Sequence, residues 1–504
     1  MTTRRPRLLR VWVPVLATLA IVVPLAWLWQ ASRVPSSYSL LDMGYLDYGG
    51  GPQPDPSVAG HTDHGGGNPH AGHVMKPITE LVADPSRPAD VRVDLTAAAA
   101  TLDIGGHQLA GFTLNGSSPG PTITAVEGQL VEVHLRNDSV AGGVTLHWHG
   151  VDVPNAMDGV AGVTQDAVPV GGEFTYRFVA GRPGTYWYHS HQVADPQVRG
   201  GLLGGLVITP KISAGSGSPP MTEVLAVAHT YGATRTINGR VGDLAVPAKP
   251  GERVRLRIVN TDNAPMPIWS DAGYRVLAVD GTDVHEPSPV EGKGLVLTGG
   301  GRYDLELTVP ASGSARVQLS RATAVVVGDG TSGSVPPQPT ESVDLLSYGT
   351  PAPLSFDPAT AARHFDYRIG RRPGFVKGRP GLFWSINGHL YPNVPMYVVR
   401  EGEVVAMHIA NSSGQVHPMH LHGHHAVVTA RNGVAATGSP WWVDSLNVED
   451  GESYDIAFVA DNPGLWMDHC HNLEHAADGM VAHLMYEGWD TPFRIGGTGR
   501  NRPE

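Results

Sequence analysis

The longest apolar stretch lies near the start: Val11 to Trp29 runs without a charge, behind Arg4, Arg5, Arg7 and Arg10. Its length suits a membrane span, and the flanking arginines set the N-terminus inside. A cleaved signal has a shorter apolar region and small residues at the cut, whereas Trp29 and Gln30 precede Ala31 and Ser32 here. A retained anchor is therefore expected, with the bulk of the protein outside the cytoplasm. Thr3-Arg4-Arg5 only loosely matches a twin-arginine export signal, because Arg7 stands where that pattern prefers an aromatic. From Ser36 to about Pro77 apolar periodicity fades into Gly, Pro and His, the pattern of a flexible tether.

Beyond Pro77 the pattern becomes short β-branched runs broken by Gly, Pro and Asn-Gly turns, with no sustained helical period. The run Thr122–Asn137 has relatives at Val246–Asn260 and Val398–Asn411, each a turn around Gly followed by alternating apolar residues and a closing Asn. Three copies predict an all-β protein of three related sandwich domains. Gly/Ser/Pro-rich joints place them at 77–212, 213–345 and 346–490, after a tip and anchor at 1–35 and a tether at 36–76, with a tail at 491–504.

Composition sharpens this picture. The 504 residues include 63 Gly and 42 Pro, and only 16% are charged, against about a quarter in ordinary domains. A formal net charge of −12 opposes phosphate backbones, so nucleic acid is not an expected partner. A single cysteine excludes an internal disulfide, while 24 histidines point to metal chemistry. Four of them, His61, His64, His70 and His73, lie in the tether, either as incidental residues of a solvated linker or as a weak metal-collecting tract.

The first and third domains each carry His-x-His-Gly, at His147-Trp148-His149-Gly150 and His420-Leu421-His422-Gly423. Each later carries Pro-Gly followed by a second His-x-His, at His189-Ser190-His191 and His469-Cys470-His471. On a strand, residues two apart share a face, so each motif projects two imidazoles one way and its middle residue the other. Eight histidines converge if the two domains meet. Cys470 then points into its own domain, where His417, His475 and Met480 can complete a thiolate, two-imidazole, thioether set, the blue-copper arrangement.

These motifs resemble those of the three-domain multicopper oxidases, the family of laccases, bacterial cuprous oxidases and ascorbate oxidase, over roughly residues 80 to 490. All four segments match: HWHG at 147, HSH at 189, HPMHLHGH from 417 and HCHNLEHAADGM from 469. The resemblance implies cupredoxin-like Greek-key sandwiches and four coppers. It makes His417, Cys470 and His475 the type-1 ligands with Met480 axial, and gives the type-2 copper to His147 and His420. His149, His189 and His471 would then hold one copper of the coupled pair, and His191, His422 and His469 the other. By the same resemblance, a reducing substrate gives single electrons to the type-1 copper, and they pass through Cys470 to a cluster that reduces dioxygen to water. Asp158 matches an acid that the family places near the cluster for proton delivery. Asp444 matches one placed near the type-1 centre, where it would meet a cationic metal or an aromatic amine. Many bacterial relatives have a second acid directly after the last type-1 histidine, where this chain has Ala476.

The expected activity is oxidation of phenols, aromatic amines or Cu(I); the 12 methionines form no cluster that would single out Cu(I). A copper-storage protein and a copper nitrite reductase are the alternatives, the latter opposed by the second set of paired histidines. His424 and His425 suit packing or hydrogen bonding behind the ligands better than a fifth site. The second domain, with no His-x-His, is expected to be a spacer that helps to shape the substrate approach.

Overall fold

The computed structural model describes residues 7–53, 75–211, 221–311, 313–330 and 334–504. The tether histidines His61, His64, His70 and His73 lie outside the described residues.

Each of the three repeated runs ends in a strand with the same surroundings. Leu130–Asn137 pairs parallel with Val91–Ile104 and antiparallel with Glu173–Val179. Arg253–Asn260 sits in the same way between Thr222–Tyr231 and Arg302–Thr308, and Val404–Asn411 between Arg363–Val376 and Ser453–Val459. Alternation along the first of these strands buries one face, Val131, Val133 and Leu135, while Glu132, His134 and Arg136 between them are partly or fully exposed. A second sheet completes each sandwich, so the fold is three cupredoxin-like β-sandwiches. One apolar cluster runs continuously through all of them, from Leu95 through Val254 to Tyr486.

The second sheets of the first and third sandwiches carry the histidine motifs. In the first, Gly120–Val126, Leu203–Thr209, Gly184–His189 and His147–His149 lie side by side. His147 is directly opposite His189 across the ladder. In the third, His417–Leu421 pairs with Leu465–Cys470, placing His420 opposite His469 and Met419 opposite Cys470. The two His-x-His motifs of each domain are thus cross-strand neighbours, however far apart in sequence.

An apolar helix, Arg7–Ala31, stands out from this body, and its Trp12–Ala31 portion is long enough to cross a membrane. Its end meets the third sandwich: the Trp29 indole donates to the Gly378 carbonyl at 3.1 Å.

Two terminal segments differ from expectation. Ser37–Asp47, assigned to the flexible tether, folds onto the third sandwich: Tyr45–Asp47 adds a parallel strand beside Pro395–Tyr397. Leu40 and Leu41 are buried, and that apolar pair inside a Gly/Pro-rich stretch is the physical reason. The 491–504 tail is likewise part of the body, since Ile495–Gly496 pairs with Ser37–Tyr38 and Asn501 and Pro503 are buried.

Candidate metal centre

Strand alternation delivers what the motifs promise. His417 and Cys470 come from adjacent strands, and His475 comes from the one-turn helix Leu473–Ala477 that follows. Cys470 Sγ lies 3.5 Å from His417 Nδ1 and 3.8 Å from His475 Nδ1, and the two Nδ1 atoms are 3.2 Å apart. The outer nitrogens are held from behind. His417 Nε2–H donates to Ser413 Oγ at 2.8 Å. The Asn472 amide sits 3.2 Å from His475 Nε2, and its otherwise unpartnered oxygen accepts that N–H once the amide is turned over. Both Nδ1 lone pairs are then free to face the sulfur. Met480 is buried beside them, its carbonyl accepting the Cys470 N–H.

Burial pushes the Cys470 thiol up, so a thiolate here requires a cation. His417 is lowered to about 3 by burial, then by His475 and Arg371, and His475 to about 4 by burial and Arg371. Both are neutral imidazoles, the form that binds a metal.

The other eight histidines meet where the first and third sandwiches join, all of them buried. His147 and His420 approach Nε2 to Nε2 at 3.4 Å, and His422 and His469 at 3.2 Å. Ligand atoms of His191, His422 and His469 lie within 4.8 Å of one another, as do those of His147, His149 and His189. His471 packs edge-on to His149 and His189, with ring centroids 4.8 and 5.5 Å away.

Behind the rings is a set of acceptors that fixes which nitrogen faces inward. Asp158 spans two of them, Oδ1 accepting from His147 Nδ1 at 3.1 Å and Oδ2 from His422 Nδ1 at 3.0 Å. The Ser190 carbonyl takes His189 Nδ1–H at 3.0 Å, and the Asp444 carbonyl takes His420 Nδ1–H at 2.8 Å. His149 is reversed, its Nε2 bonding outward to Ser445 Oγ at 3.0 Å. That leaves His149 Nδ1, His189 Nε2, His191 Nε2 and both His471 nitrogens buried without a partner. Burial, followed by the neighbouring histidines, holds His149, His189, His420 and His422 well below the usual imidazole pKa. Several neutral imidazoles with unpartnered lone pairs, packed around one point, fit metal cations and little else.

Asp444 is placed differently from expectation. It is fully buried behind the cluster, with no access for a substrate, and forms a two-pronged ion pair with Arg302 at 2.6 Å on both oxygens. It also lies 3.3 Å from His149 Nε2. Its partner is what sequence reasoning missed: Arg302 belongs to the second sandwich, which therefore braces the cluster rather than merely spacing the others. Gly150, the last residue of the first His-x-His-Gly, has φ +82°, and a Cβ there would collide with this ion pair. His424 Nδ1–H donates to the His422 carbonyl at 3.0 Å and its Nε2 accepts the Tyr486 O–H at 2.6 Å, and His425 reaches Asp152 and Asp444 at 3.2 and 3.4 Å. Both act behind the ligands.

Two family models described as Multicopper oxidase match this chain, over residues 96–213 and 358–488. The chain belongs to the multicopper oxidase family. It is 28% identical to Multicopper oxidase MmcO of Mycobacterium tuberculosis (strain ATCC 25618 / H37Rv), over 80% of this chain and 88% of that protein. It is 27% identical to Laccase-1 of Botryotinia fuckeliana, over 76% and 80% respectively. Among solved structures, the multi-copper oxidase from Pseudomonas thermotolerans superposes with a TM-score of 0.65 at 25% identity, covering 79% of this chain and all of that one. As a member of this family the chain is an oxidoreductase, laccase-like or a metallo-oxidase.

Proposed function

We propose that this multicopper oxidase takes single electrons from an aromatic reductant at a centre held by His417, Cys470, His475 and Met480. It passes them to dioxygen at a three-copper cluster, with His147 and His420 holding one copper, His149, His189 and His471 a second, and His191, His422 and His469 a third. One observation carries the reading: Cys470 Sγ faces His417 and His475, while its chain neighbours His469 and His471 belong to the cluster. A single residue step on either side of the sulfur therefore joins electron entry to oxygen reduction. When bound, copper supplies the one-electron redox chemistry, so that four single oxidations balance the conversion of one dioxygen to two waters.

The chain's own residues do the rest. Ser413 and Asn472 orient the two imidazoles beside Cys470. Asp158, buried between His147 and His422, holds both rings and is the group assigned to proton delivery. Half-buried His475 is the more accessible imidazole of the first centre. Trp384 packs on it and on His417 with centroids 4.4 and 4.8 Å away, and the Arg371 guanidinium lies 4.6 Å over Trp384. Trp384 is itself buried, so the exposed Arg371 makes the approach cationic, which favours phenols over cuprous or ferrous ions. A metal-ion reductant is the second reading, supported by Glu474 and Asp478, exposed on either side of His475. The N-terminal helix is assigned as a retained anchor, with the oxidase outside the cytoplasm.

Side-by-side steady-state oxidation of a dimethoxyphenol, Cu(I) and Fe(II) tests the choice. The phenol should be preferred, and Arg371→Ala should lower its kcat/KM alone; preference for a metal ion, abolished by Glu474→Gln with Asp478→Asn, would establish the second reading instead.

A further inference from the structure

Six of the eight cluster histidines find their outer support, or pack without one, within the first and third sandwiches, His149 and His422 being held from across the junction by Ser445 and Asp158. The other two do not. His191 Nδ1–H donates to the Pro503 carbonyl at 3.0 Å, and His469 Nδ1 lies 3.3 Å from Glu504 Oε1. His191 and His469 converge with His422 on one point, so residues 503 and 504 stand behind two of the three imidazoles of a single set.

The segment is fastened. Arg502 N–H donates to Gln192 Oε1 at 2.8 Å, and the Arg502 carbonyl accepts the Val193 N–H at 2.6 Å. Asn501 donates to Asp166 at 2.7 Å and accepts the Ala167 N–H at 2.8 Å. All these partners lie in the first sandwich, whereas His469 belongs to the third, so the strap crosses the junction in which the cluster sits. The Glu504 side chain is only 8% exposed, and His469 Nδ1 and both Glu504 carboxylate oxygens are buried with no hydrogen-bond partner, facing each other at 3.3 Å. A buried carboxyl with no use is costly; the Lys377 ammonium borders the same cavity as Glu504, and the ring N–H within 3.3 Å is that of His469. Glu504 and Ala476 also border the same cavity, of about 240 Å³.

We propose that Pro503 and Glu504 are positioning residues of the three-copper cluster, accepting the Nδ1 protons of His191 and His469 so that both Nε2 atoms face inward. The proposal rests on the assignment of the eight histidines to that cluster. Residues behind ligands typically change metal affinity by 10- to 100-fold, and this sets the expected effect.

The test uses the full-length, copper-loaded protein. Glu504→Ala and a deletion of 503–504 should lose cluster copper to a chelator on the order of 10- to 100-fold faster than the parent. In electron paramagnetic resonance, part of the coupled, silent pair should become visible. The blue absorption and thermal midpoint should stay at parental values, because Ser413 and Asn472 hold the other centre. Glu504→Gln, whose amide oxygen accepts the same N–H, should behave as the parent. Parental copper retention in Glu504→Ala, a Glu504→Gln variant as impaired as Glu504→Ala, or concurrent loss of the blue band and the thermal midpoint would each overturn the proposal. A parent with no silent pair would instead overturn the cluster assignment itself.

Discussion

The two metal centres are built on different principles. Around Cys470 every ligand and every hydrogen-bonding support lies between Ser413 and Met480 within one sandwich, with Trp384 of the same sandwich packed on the imidazoles, and the last three ligands come from one strand, the turn of helix after it and the residues just beyond. The eight-histidine site takes its rings from two sandwiches and its Arg302–Asp444 brace from the second and third, and has the Pro503 carbonyl and the Glu504 carboxyl behind two of its rings. A local centre depends on one domain being folded; a junctional one depends on all three domains and the tail being docked. Metal chemistry that needs several ions at one point is therefore sensitive to changes far from any ligand.

The largest expected effect breaks the link between the two. Cys470→Ser should abolish both the blue colour and turnover while leaving most cluster copper bound, as read by absorption and by copper per chain; a blue mutant would refute the first centre. Next is Arg302→Ala, which strands the buried Asp444 carboxylate and should cost about 3–5 kcal/mol. Thermal unfolding and copper content should report loss at the cluster before loss of the blue band, and equal loss at both centres would contradict the local character of the first. Asp158→Asn keeps an acceptor for one ring but turns an amide N–H toward the other. It should slow turnover on the order of 10²-fold with the blue band intact, the scale of one acid–base group. Unchanged turnover across pH would reduce Asp158 to a turn residue. The smallest effect is Ser413→Ala, which removes the hydrogen bond to His417, worth about 1 kcal/mol, together with two longer ones to the Gln415 backbone, and should weaken retention of the first centre's copper several-fold, leaving the silent pair untouched.

The terminal segments show where pattern reading stops. Leu40-Leu41 is too short an apolar run to register as an element, yet both side chains are buried against the third sandwich. The tail has almost no apolar periodicity, because its docking rests on Asn501, backbone groups and one carboxylate. Asp444 illustrates the opposite error: an acid close in sequence to the motif is turned away from solvent by an arginine more than a hundred residues earlier.

What the sequence determined by itself was whatever local geometry enforces. Alternation along a strand separates Cys470 from His469 and His471, and Gly-broken apolar runs repeated three times specify three sandwiches, since a pleated backbone allows no other facing. The tertiary structure alone decided which nitrogen of each imidazole is held, which acid is buried, and that an arginine of the motif-free second sandwich and the last two residues of the tail stand behind the cluster. Those choices are made by hydrogen bonds and ion pairs between segments tens to hundreds of residues apart, and no periodicity in the chain encodes such a meeting.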